Sequence, residues 1–310
     1  MADLAPIVIF IYRRPAHLRK TLDSLARCVG FERSKIIVFG DGPKTPADRD
    51  AVAATRRMAE TLLGSHAEYH FHDSNAGLAN SIIGGVSLIT RRFGGAIVLE
   101  DDLELSPSFI DYMNAALNRY ALEERVFQVS GQLFATPQFA ARDTALFLPF
   151  TTSWGWGTWH RAWQRFDPAA HGWQQLQRDR ALRKRFNLDG GYDFSTMLER
   201  QMAGLGDSWA IRWYWSVFRN DGMVCFPPVS LVRNTGMDGS GTHGRGLLRR
   251  FKTEERPPPT LRIELPDQIS VQQQDFNFVK QAMWQHNGGH MGSIIDSLRR
   301  RLFLLTGKHM

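Results

Sequence analysis

The chain has 310 residues, 43% of them hydrophobic, which suits one elaborated core and excludes global disorder. Its formal net charge is +7 and its pI about 9.7, a balance that attracts phosphorylated ligands, anionic lipid or nucleic acid. No nucleic-acid-binding signature accompanies that charge, and Cys28 and Cys225 are too few for a zinc finger or a disulfide framework, so a reducing compartment and no nucleic-acid partner are expected.

Near the N-terminus, Ile7 to Tyr12 is an apolar run too short for a signal peptide or a membrane span. It reads as a buried strand of a cytoplasmic protein. Pro15 to Arg27 places Leu18, Leu22 and Leu25 at helical spacing. Lys35 to Phe39 is a second strand, stopped by Gly40-Asp41-Gly42. Ala47 to Leu63 is helical, Glu68 to Phe71 a short third strand, and Ala76 to Phe93 helical again. Ala96 to Leu99 is a fourth strand that runs into Glu100-Asp101-Asp102. Alternating strands and helices imply βαβ units and a mainly parallel sheet, covered on both faces because its strands are continuously apolar.

Tryptophan becomes frequent after residue 150, and short strands are expected at 126–130, 146–148 and 223–226. The expected organisation is one domain over 1–256, with a nucleotide-binding half (1–105) and an acceptor half (106–256). A C-terminal helical extension follows over 257–310. Within it, residues 293–305 place Ile294, Ile295, Leu298 and Leu302 near helical spacing beside Arg299, Arg300 and Arg301. Such a helix can lie on an anionic membrane surface or dock on protein.

Ligands of open parallel sheets collect beyond the carboxyl ends of the strands. Here those ends carry Tyr12-Arg13-Arg14, Asp41, Asp73-Ser74-Asn75 and Glu100-Asp101-Asp102. Three adjacent carboxylates repel one another, and Mn²⁺ or Mg²⁺ shared with phosphate oxygens would relieve that. In an extended chain Glu100 and Asp102 share a side, opposite Asp101. A metal and basic groups together suit a departing diphosphate. Arg13, Arg14 and His243, the last in a glycine-rich segment, are candidates for the basic role. Asp207 precedes an aromatic helical run and reads either as a general base or as a helix N-cap; Asp221 and Asp238 are rivals for the base. Trp156, between glycines, reads as a pocket wall or as core.

The stretch from Ala96 to Tyr112, AIVLEDDLELSPSFIDY, resembles the metal-binding segment of the N-acetylglucosaminyltransferase I family. The first strand with its arginine and TLDSL, the second strand ending at Asp41, Gly155-Trp156-Gly157, and Gly206-Asp207-Ser208-Trp209 with Arg212 are similar to that family too, in order from residue 6 to about 245. Bacterial polysaccharide sugar transferases with an SWGWGTW segment look closer still. The resemblance implies a GT-A fold, a UDP-sugar donor, Mn²⁺ dependence and inversion at the anomeric carbon. The acceptor expected is a glycan or lipid-linked saccharide. Asp102, with His243 added, would hold the metal; Asp41 would meet the base, with Asn75 beside it. Arg13 or Arg14 would meet the nucleotide or its phosphates, Glu100 and Asp101 the donor sugar and ribose, and Trp156 the sugar pocket. Asp207 would be the catalytic base. The chain departs at Ser208, where the family has a second aspartate, and by one extra residue after the first-strand arginine. Sugar-nucleotide synthesis would need a glycine-rich N-terminal loop that Tyr12 to Pro15 does not supply. A non-catalytic carbohydrate- or nucleotide-binding protein on the same fold is the alternative from another class.

Overall fold

A computed structural model describes residues 4–236, 238, 258 and 260–286. The first half runs β1 (Ile7–Ile11), α1 (Pro15–Leu25), β2 (Ile36–Gly40), α2 (Arg49–Leu63), β3 (Ala67–Phe71), α3 (Leu78–Phe93) and β4 (Gly95–Glu100). The second half runs β5 (Leu103–Leu105), α4 (Phe109–Arg119), β6 (Val126–Ser130), β7 (Leu146–Leu148), β8 (Trp156–Trp159), α5 (His160–Trp163), α6 (Gln175–Arg178), α7 (Arg180–Phe186), α8 (Phe194–Met202), α9 (Trp209–Arg219), β9 (Met223–Phe226), β10 (Val232–Asn234) and α10 (Gln273–His286).

The fold is α/β, as the alternation of elements predicts. Among the described residues eight strands form one sheet in the order β3-β2-β1-β4-β8-β6-β9-β7, and β5 pairs with β10 apart from it. The first four strands are parallel throughout. Beyond β4 the sheet is mixed: β8 runs antiparallel to β4 and β6, β9 parallel to β6, and β7 antiparallel to β9. Every residue of β1 and β2 is buried, which is what a strand covered on both faces requires.

Residues 156 and 157 show what covers the two faces. Successive side chains on a strand point to opposite sides. A Cβ on Gly157 would meet Met113 and Leu117 of α4, whereas Trp156 packs against Trp163 of α5 and Trp209 of α9. The sheet is therefore sandwiched between helices. A second apolar cluster lies under α7, α8 and α9, with Phe186, Leu198, Tyr214 and Trp215 at its centre.

The segment expected as a C-terminal extension packs on this body over its described part. Glu264 exchanges backbone hydrogen bonds with Asp143 and Ala145, Arg142 pairs with Asp275 at 2.6 Å, and Val279 and Met283 of α10 enter the second cluster. The basic run at Arg299–Arg301 lies outside the described residues. No helix among the described residues is long and apolar enough to cross a membrane.

Adjacent glycines on α3 separate two physical effects. Gly85 is buried, and a Cβ there would stand 2.7 Å from the Phe10 ring, which is itself stacked on Phe39 and has little room to yield. Gly84 is exposed and faces open space. Gly85→Ala is expected to cost ~1–3 kcal/mol by overpacking, and Gly84→Ala to gain ~0.5–1 kcal/mol from helix propensity. Urea denaturation of both variants measures the two signs.

Candidate functional site

The parallel half ends level. Ile11 lies opposite Gly40, Gly40 opposite Phe71, and Phe10 opposite Glu100. The chain therefore leaves four neighbouring strands along one line, and Tyr12, Asp41, His72 and Asp101 follow directly. The predicted polar rim is present.

At the end of β4 the three carboxylates are held differently. Asp101 is buried and accepts a hydrogen bond from the Tyr12 amide at 3.0 Å. The Arg14 guanidinium donates to Asp102 Oδ2 at 2.7 Å, and Thr235 donates from both its amide and its hydroxyl to the Asp102 carbonyl. The backbone at Gly236 passes so close that a Cβ there would collide with Asp102 and Arg14. Burial, then the charges of Asp102 and Asp101, push Glu100 up to about 8, with Arg14 opposing. Burial and Asp102 push Asp101 up to about 7, against the Tyr12 amide and Arg14.

Three carboxylates thus face one guanidinium, and two of them resist ionisation. The donor set is all oxygen, which suits a hard divalent cation. Among the described residues no group of three or more His, Cys, Asp and Glu side chains is arranged to hold a metal. A magnesium-type ion would need only one or two carboxylates and share its other positions with substrate phosphates. The residues present fit such an ion: Asp102 is partly exposed and would offer an oxygen after displacement or sharing of Arg14.

The structure separates the two arginines that the sequence leaves equivalent. Arg14 belongs to the acidic triplet. Arg13 is half exposed at the outer rim, where it pairs with Asp48 at 2.5 Å.

Asp41 is a surprise. Its carboxylate accepts from the amides of Gly42, Ala76 and Gly77 and from the Asn75 side chain, at 2.8 to 3.0 Å. Asn75 also donates to the Gly42 carbonyl at 2.8 Å. Four donors occupy the acceptor capacity that the resemblance would assign to a nucleobase. Asp41 and Asn75 organise the loop that joins β3 to α3.

That loop leads to Asp207. Gly77, at φ 83°, takes a left-handed conformation that favours glycine, and a Cβ there would lie 3.2 Å from Asp207 Oδ2. Asp207 is exposed. It does not cap α9: Ser208 is the N-cap and accepts from the Ile211 amide, so the N-cap reading of Asp207 is corrected by one residue. Asp207 stands free of that duty at the N-terminus of α3, beside the Asp41 loop.

Trp156 is not a pocket wall. It is 1% exposed and stacks on Trp209 at 4.9 Å, because β8 lies between β4 and β6 with helices over both faces. Its contact is with the first turn of α9, so it supports the helix that Asp207 precedes. Of the rivals, Asp221 pairs distantly with Arg185, and Asp238 meets His17 at 3.1 Å. His243 lies outside the described residues. The strap of Asn234, Thr235 and Gly236 and the arginine–aspartate pair at residues 13 and 48 were missed from sequence. An Asn-Thr-Gly step at the end of a short strand is the one sequence signal for the strap.

No family model and no curated protein matches the chain. Among solved structures it is similar to a GalNAc-T7 structure with UDP, GalNAc and Mn²⁺, at 11% identity and TM-score 0.45, over 75% of this chain and 44% of that one. It is also similar to the mannosyltransferase PcManGT from Pyrobaculum calidifontis in complex with GDP-Man and Mn²⁺, at 16% identity and TM-score 0.33, over 50% of this chain and 47% of that one. The chain thus spans less than half the length of either.

The raised carboxylates carry a pH dependence. Both bind a proton more tightly in the folded protein than in the unfolded chain. The stability linked to them is full at low pH and is lost as pH rises toward about 8. Without added cation, the melting temperature is expected to fall between about pH 5 and pH 8 more steeply than in Glu100→Gln. Thermal melts across that window test it; parallel curves for the two proteins would remove the electrostatic account of the triplet.

Proposed function

We propose that the chain is a divalent-metal-dependent glycosyltransferase that moves a sugar from a nucleotide-diphosphate sugar to a hydroxyl of a glycan or lipid-linked saccharide. The observation that supports this reading is the oxygen-only acidic triplet at the end of β4, which among the described residues meets one arginine, Arg14, with the exposed carboxylate of Asp207 beside the loop that Asp41 holds. The family resemblance adds a UDP-sugar donor, inversion, a GT-A fold and a place in bacterial surface polysaccharide assembly.

In this reading the triplet and Arg14 bind the diphosphate end of the donor. A cation bound there would neutralise charge as the sugar–phosphate bond breaks. Asp207 accepts the proton of the acceptor hydroxyl while that oxygen bonds to the anomeric carbon from the opposite face, and the nucleoside diphosphate departs with the bonding electrons. Asp41 and Asn75 hold the intervening loop, and Trp156 braces the helix that follows Asp207.

Two variants test the division of labour. Thermal shift with UDP, GDP, CMP and dTDP ligands, each with and without Mn²⁺, is expected to give a Mn²⁺-dependent stabilisation for one nucleotide that Asp102→Ala loses. Asp207→Asn is expected to keep that stabilisation and to lower turnover by roughly 10²–10⁴-fold. A nucleotide shift in a wild-type protein that hydrolyses and transfers no sugar would favour a binding protein. Asp41→Ala is expected to weaken nucleotide binding by loosening the loop, and to melt at lower temperature by ~1–3 kcal/mol of lost hydrogen bonding; an unchanged melting curve would contradict its organising role.

A further inference from the structure

Arg14 and Asp102 occupy each other in the place where a ligand of the triplet would bind. The guanidinium meets Oδ2 at 2.7 Å, and both side chains are partly exposed. Among the described residues the Asp102 carboxylate is the one acceptor that Arg14 reaches. A guanidinium carries several N–H donors in a rigid fork, so most of its capacity is unspent. The backbone beneath it is fixed. The Tyr12 amide is tied to Asp101, Pro15 opens α1, and the Arg14 carbonyl accepts from the Leu18 amide at 3.0 Å. A change of partner is therefore a matter of side-chain rotation.

The surroundings disfavour a cation on Asp102 while Arg14 stays. Asn234 Nδ2 donates to Oδ1 at 3.4 Å. The backbone at Gly236 passes so close to Oδ2 and to the guanidinium that one added carbon would collide with both. A cation on Oδ2 would also stand beside a like charge in a partly buried place, where screening is weak. A diphosphate changes that balance. Its oxygens match the fork of a guanidinium, and they also complete the shell of a divalent ion.

We propose that Arg14 is the internal counter-ion of Asp102 and exchanges this partner for a phosphate of the incoming nucleotide, so that the cation takes the oxygen that Arg14 vacates. The inference rests on the diphosphate-binding reading above and adds its regulation. A free cation or a free diphosphate meets a site whose charge is already paired; the two together open it. Binding of either one then strengthens the other by a common factor.

Isothermal titration calorimetry of the full chain tests the exchange, with UDP, GDP and inorganic pyrophosphate in metal-free buffer and with Mn²⁺ alone. Asp102→Asn removes the charge that holds Arg14, so metal-free binding of the diphosphates is expected to tighten by roughly tenfold. In the Arg14→Gln background the same substitution should bring less than about a twofold gain, because the group it would release is gone. Arg14→Gln alone is expected to bind Mn²⁺ roughly five- to tenfold more tightly than the wild type when no nucleotide is present. Melting curves check each variant, and Asp102→Asn, which leaves no unpaired charge on that side chain, decides the matter if Arg14→Gln fails to fold. Unchanged or weaker metal-free diphosphate binding in Asp102→Asn overturns the proposal. So does a gain of equal size with and without Arg14, which marks a general field effect, and so does Mn²⁺ binding that Arg14→Gln leaves unchanged or weakens. A wild-type chain that binds none of the three diphosphates, with or without Mn²⁺, removes the functional reading itself and the exchange with it.

Discussion

The level ending of four parallel strands is the constraint on which the rest of this molecule depends. Strands buried on both faces, as β1 and β2 are and the half-exposed edge strand β3 with its Glu68 and His70 is not, cannot carry charge along their length. The in-register pairing of β1 with β2 and β4, and of β2 with β3, puts all four exits on one line. Polar chemistry is thereby forced into a narrow strip. Each loop leaving the strip is then fixed by a short-range contact: the Tyr12 amide on Asp101, Arg14 on Asp102, and Asp41 on the loop before α3.

The strip is unbalanced on its β4 side and balanced on its β2 side. Asp41 is buried with four donors, so its charge is met by the chain itself. The triplet has one guanidinium and few amides for three carboxylates, and burial drives two of them toward neutrality. Of two buried aspartates a strand apart, one is a fixed part of the framework and the other belongs to a group whose charge is unmet. Charge left over at a sheet edge is where a ligand can gain most, which is why the functional reading rests on the triplet and on Asp207 rather than on Asp41.

Much of this was legible in the sequence. Strands β1, β2 and β4 announce themselves as apolar runs that end at polar or glycine residues, and the observed ends fall within two residues of the expected ones, as for β1 and β2. The acidic triplet followed from the same pattern. The strand β8 did not, because Trp156-Gly157-Thr158-Trp159 has no β-branched run and its glycines read as a bend; the bend is real only at Gly155, with φ 59°. Trp156 was misplaced for that reason. Asp41 illustrates a different limit: a carboxylate at a strand end looks the same whether its partners are a ligand or backbone amides from thirty-five residues away. Arg13 and Arg14 could be parted only by geometry, since one turn of chain decides which guanidinium faces the triplet.

The tryptophan packing behind the site has a consequence of another kind. Trp156 stacks on Trp209 at 4.9 Å and meets Trp163 at 5.6 Å, and Trp163 meets Trp213 at 5.0 Å. Four indoles from β8, α5 and α9 form one connected chromophore group. Rings this close exchange excitation and shift one another's absorption, so the emission of these four belongs to the group and not to single residues, beside that of the chain's other five tryptophans. Because Trp209 follows Ser208 and Asp207 directly, a small movement of the turn before α9 changes the stacking at one end of the group. The molecule carries a built-in optical reporter of the geometry around Asp207.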